Sequence, residues 1–180
     1  MTALIASRVD KFQPVFKEAT HGSTGRPKPI RVAAIAAVGR IGNASALSSL
    51  LPSGEDADED IALVTRKAIS SLAGSEVDRE IVARLPKADA TILPTLVRAI
   101  GDRRIAAVAE LRPLVHHSSV TVRTATVAAL GSVVDLPNLG ILIDQVVNPS
   151  VAGDVGKKAI MEASIHRPIS PRSPRRSAAA

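Results

Sequence analysis

Three sets of side chains have types and spacings that could do chemistry: scattered arginines, one histidine pair and one alternating acidic loop. Arg31, Arg66, Arg98, Arg103, Arg104 and Arg123 could together line a surface for a protein partner. The competing reading of an arginine near the start of a unit's first helix is a bond to backbone or to an adjacent unit's acid. His116 and His117 are adjacent, so they project differently, and no third ligand lies close in sequence. A cation at a helix C-terminus explains them better than a metal does. In GEDADED, Gly54–Asp60, the residues Asp56, Asp58 and Asp60 alternate as in a calcium loop. A hand-type loop counted from Asp56 needs Gly sixth and Glu twelfth, where this chain has Ile61 and Lys67. Capping of the following helix is the expected role. The chain has no cysteine, which removes disulfides, thiolate metal sites and thiol catalysis together. The expectation is a protein that is not an enzyme, with no catalytic residue, cofactor or metal site and no evident small-molecule substrate.

These side chains hang on a recurring block. VAAIAAVGRIG, Val32–Gly42, returns as RKAISSLAG, Arg66–Gly74, and as TATVAALGSVV, Thr124–Val134, with a weaker copy TLVRAIG ending at Gly101. Alignment on Gly39, Ala73, Gly101 and Gly131 spaces the closing residues 34, 28 and 30 positions apart. That interval marks a chain built by stacking one supersecondary unit. The expected fold is all-α, an α-solenoid of stacked antiparallel helix pairs. Expected helices include Ile30 to about Arg40, a second through Leu47, Leu50 and Leu51, then Ile61–Ala73 and Val77–Leu85. Further units are expected at about Thr91–Val115 and Val120–Val147, with a closing helix at Val151–Ile165. Pro94, Pro113 and Pro137 fall near expected helix ends, where a missing donor is tolerated.

The chain divides into three parts. Residues 1–29 read as an N-terminal helix, about Thr2–Ala19 with a break at Pro14, and a flexible linker rich in Gly, Ser, Thr and Pro. Residues 30–166 are the array of about four helix pairs plus a terminal helix. Residues 167–180 read as a disordered basic tail with little to bury. The formal charge of +6 is concentrated at the ends: residues 1–31 hold six basic and two acidic side chains, and residues 167–180 hold four Arg and no acid. The array itself is therefore near neutral, which argues against a long phosphate-binding groove. A nucleic-acid contact, if any, falls to the tail arginines Arg172, Arg175 and Arg176, where Ser173-Pro174-Arg175-Arg176 resembles the Ser-Pro-basic-basic element of linker-histone tails. Phe12 and Phe16 are the only aromatics, so any array core consists of Ala, Val, Leu and Ile. No apolar run approaches the roughly 18 residues of a membrane helix, and the chain reads as a soluble, by default cytoplasmic, protein with no membrane partner.

The columns Ile30-Arg31-Val32-Ala33 with Val38-Gly39, and Val122-Arg123-Thr124-Ala125 with Leu130-Gly131, resemble HEAT repeats. More narrowly they resemble the short HEAT-like repeats first named from phycobilisome lyases, over about Ile30–Ile165. The resemblance implies a curved superhelix that offers an extended surface to a protein partner. It also implies three enzymatic branches to test. Di-iron members carry His-Glu pairs, and this chain has no His-Glu dipeptide. Glycosylase-like members need aromatics on a basic face, and the array has no aromatic. A lyase-like or enzyme-accessory role has no signature residue to match here and stays open beside the scaffold reading. The chain also reads as a possible fragment of a longer array, since neither end shows an evident polar capping unit.

Overall fold

Leucine-proline steps, glycine seams and acidic caps divide the chain into helices of two kinds. The computed structural model describes residues 27–165, and every regular element among them is helical. The expected N-terminal helix and linker before Pro27, and the expected basic tail, lie outside the described residues. Five longer helices are α1 (Lys28–Ile41), α3 (Glu59–Ser71), α5 (Leu93–Arg103), α7 (Val120–Val133) and α9 (Gly153–Ile165). Between them come shorter ones: α2 (Leu47–Leu50), α4 (Ser75–Arg84), α6 (Val108–Leu111) and α8 (Gly140–Val147).

The short helices are cut by proline. The 3-10 turns Leu51–Ser53, Leu85–Lys87 and Arg112–His116 end α2, α4 and α6, and each has Pro at its first or second position. A proline ring lacks the donor and crowds the preceding turn, so the helix tightens and stops. The long helices begin on different devices. Asp58 accepts from the Asp60 backbone N–H at 3.0 Å and caps α3, with Glu59 and Asp60 in its first turn. This satisfies orphan donors and places negative charge at the positive end.

Packing runs from each long helix to the next. Dense contacts join α1 to α3, α5 to α7 and α7 to α9, while α3 and α5 touch more sparsely. The dense junctions are glycine seams. A Cβ on Gly39 would lie 2.6 Å from Ala68 Cα, one on Gly101 2.9 Å from Ala129 Cα, and one on Gly131 2.8 Å from Ala159 Cα. Backbones approach this closely only where no Cβ intervenes. The core is one continuous aliphatic cluster, with Val38, Ile69, Ile100 and Leu130 among its buried members.

These contacts correct the alignment. Gly101 meets Ala129, which stands two positions before Gly131. Gly39 meets Ala68, so the matching position in α3 is Ser70, not Ala73. Gly39, Ser70, Gly101 and Gly131 are then 31, 31 and 30 positions apart, a more even period than the sequence alignment suggests. Ala73 is exposed and lies beyond the end of α3 at Ser71. The slip is three residues, close to one helical turn, and such a slip leaves the apolar columns on the same face. In the corrected register Ile35, Val97 and Val127 share a column with Arg66.

Candidate functional site

The break in the glycine series coincides with an open concavity. Where α3 carries Ser70 in place of glycine, a groove of about 480 Å³ crosses α3, α5, α7 and α9. Gly101, Ala125, Ala128 and Ala129 are its small residues. Leu63, Arg66 and Lys67 line it from α3, Arg98 and Asp102 from α5, and Ser132 and Glu162 from α7 and α9. All these positions belong to long helices, so the stacking of those helices, and no single loop, shapes the groove.

Its charges are arranged by ion pairs beneath the rim. Arg66 donates to the Gly54 carbonyl at 3.0 Å and reaches Glu59 at 3.4 Å. Arg98 donates to Glu55, which also accepts from Thr95 Oγ1 at 3.1 Å. The acidic loop is therefore held from two sides of the groove's cationic edge. Ser132 donates to Glu162 at 2.7 Å across α7 and α9. Asp102 keeps one edge in solvent, yet burial pushes its carboxyl above the ordinary range. Arg66 and Arg98 act in the opposite direction, and Glu162 adds to the rise. The groove thus carries the cations Arg66, Lys67 and Arg98 from α3 and α5, and the carboxylates Asp102 and Glu162 from α5 and α9.

Of the six candidate arginines, only Arg66 and Arg98 line this groove. Arg31 and Arg123 occupy matching places near the starts of α1 and α7, and each grips the loop before the next long helix. Arg31 binds Asp56 at 2.8 Å, while Arg123 donates to the Ser150 carbonyl at 3.0 Å and to His117 and Ser118 carbonyls. Arg103 is almost enclosed and donates to the carbonyls of Ile69, Ser70 and Leu72 at 3.3, 3.0 and 2.6 Å, and to Asp78 at 2.6 Å. It satisfies carbonyls that the end of α3 leaves open. Arg104 ends α5 in the left-handed region at φ 53°. The acidic loop is spent similarly: Lys28 bridges Asp58 at 2.8 Å and Asp60 at 2.6 Å, which lowers the Asp58 carboxyl and raises the Lys28 ammonium.

No protein-family model matches the chain, and no curated protein matches it either.

The histidines separate. His117 Nδ1 accepts the Ser119 backbone N–H at 3.1 Å, in the turn that enters α7. His116 lines a second depression of about 600 Å³, with Arg112, Asp144 and Gln145, formed by the turn after α6 and by α8. Among the described residues, no group of three or more His, Asp or Glu is arranged to hold a metal. None of their helices is long and apolar enough to cross a membrane. Sequence reasoning did not single out Lys67, Asp102, Ser132 or Glu162. They become neighbours only through the register of the long helices, and the Ala73 alignment misplaced that register.

Proposed function

We propose that the protein is a HEAT-like α-solenoid acting as a non-catalytic scaffold, and that a protein partner lies in the groove across α3, α5, α7 and α9. The observation that carries the reading is the groove's floor of Gly101, Ala125, Ala128 and Ala129 beneath a charged rim. A floor of small residues accepts the side chains of a partner's helix or extended segment, while the rim fixes its direction by charge. The recurrence of glycine seams between long helices supports the solenoid reading, and the shallow groove favours a partner with length over a small enclosed ligand.

Affinity capture from lysate at low and high salt tests it, with the parent chain beside Ala128→Arg. Ala128 is exposed, so the longer side chain fills the groove without entering the core. A discrete protein that survives high salt and is lost with Ala128→Arg is expected. A partner indifferent to Ala128→Arg would remove the groove from the reading. Nucleic acid released by salt would point instead to Arg172, Arg175 and Arg176.

One observation favours the lyase-like or accessory reading: Arg112, His116, Asp144 and Gln145 converge in the second depression. Under that reading His116→Ala would weaken the partner or ligand contact while Ala128→Arg would not.

A further inference from the structure

Helix α1 has an apolar stripe with no cover among the described residues. Ile30 and Ile41 are 48% and 52% exposed, Ala33 is exposed, and Ala34 and Ala37 between them are only partly covered. The register set by the glycine seams identifies this stripe. Ile30 corresponds to Ile61, Ile92 and Val122, Ala34 to Thr65, Leu96 and Thr126, and Ala37 to Ala68, Ala99 and Ala129, and all of these later residues are buried except Ile92, which is partly buried. On α3 and α7 the face is covered by the preceding long helix, and on α1 it is laid out in the same way with no such helix among the described residues.

We propose that the segment Thr2–Ala19 of this same chain docks along the α1 stripe, seating Phe12 and Phe16 over Ala33, Ala34 and Ala37. The floor is alanine, so a large side chain fits where a leucine floor would have blocked it. The segment holds both aromatic residues of the chain, four positions apart, with Leu4, Val9 and Val15 beside them. The chain between Phe16 and Pro27 spans up to about 36 Å at roughly 3.3 Å per residue, and α1, with 14 residues, is only about 21 Å long at 1.5 Å per residue. The segment therefore reaches any point of the stripe. A second copy stacking its α9 end on α1 is disfavoured, because α9 places Lys157 in the column that Val127 fills in α7. That stacking would bury an ammonium without a partner of its own.

The chain has no cysteine, so Ala37→Cys creates a single thiol in the middle of the stripe. Its rate of modification by a small aromatic disulfide reagent is measured in the full chain, beside Ala36→Cys on the exposed side of α1. Protection of Ala37→Cys by about tenfold or more relative to Ala36→Cys is expected, independent of protein concentration. Adding Phe12→Asp and Phe16→Asp removes the protection, and adding Phe12→Ala and Phe16→Ala, which introduce no charge, weakens it in the same direction. Circular dichroism of each variant verifies that the helices persist. Equal rates at the two positions would overturn the proposal. So would protection that grows with concentration, which a second copy would produce, or protection that survives both pairs of substitutions.

Discussion

Gly131 and Gly140 are only nine positions apart and sit in opposite surroundings. A Cβ on Gly131 would press on the Cα, carbonyl and Cβ of Ala159, whereas one on Gly140 would meet nothing within 4 Å. Gly131→Ala therefore forces α7 and α9 apart, at about 1–3 kcal/mol for overpacking, reduced by about 1 kcal/mol of helix propensity. Gly140→Ala keeps the propensity gain and loses nothing. Urea unfolding should show midpoints shifted in opposite directions. Asp102 gives a pH test. Burial raises its folded carboxyl above the unfolded value, so the stability of its neutral form is fully present below the ordinary carboxylate range and is lost as pH rises through the elevated value. Asp102→Asn should be more stable than the parent at neutral pH, and the difference should vanish in acid. A melting temperature that falls at pH 7 would show that Arg66 and Arg98 outweigh burial.

At the scale of elements, the long helices were legible and their register was not. The expected Ile61–Ala73 is observed as Glu59–Ser71, and the expected Val77–Leu85 as Ser75–Arg84. Asp58 and the turn out of helical geometry at Leu72 decided those ends through caps and turn geometry that apolar spacing does not encode. A three-residue slip preserves the apolar face, so Ala73 looked as good as Ser70 until Gly39 was seen against Ala68. The groove was illegible for the same reason, since Lys67, Asp102 and Glu162 meet only in the true register. Arg103 was legible as a candidate but not in its role, which is to tie α3 and α4 to α5 through four backbone carbonyls and Asp78. Arg103→Ala should cost roughly 2–4 kcal/mol, because it leaves enclosed carbonyls without donors. Arg103→Lys should recover little, since an ammonium cannot reproduce the fork.

Across the whole molecule, cohesion comes from many aliphatic contacts in one continuous cluster. Val127 is fully buried at the α7 seam, so Val127→Asp leaves a carboxylate without a partner in that cluster. It should abolish the cooperative thermal transition as followed by circular dichroism. The sparse α3–α5 junction predicts unequal opening of the two sides. Native-state hydrogen exchange should show α1–α4 and α5–α9 exchanging as two cooperative blocks, and a single common free energy for both would contradict this.

Ser70 has a mechanical consequence. Three junctions between long helices are backbone-to-backbone seams with no side chain to compress, and such seams are stiff. The fourth is spanned by a serine, an arginine fork and an open groove, which makes it the compliant joint of an otherwise rigid body. Under tension applied through residues 27 and 165, extension should begin there, and the two stiff segments on either side should yield only at higher force. A guest wedged into the groove would act as a splint across that joint.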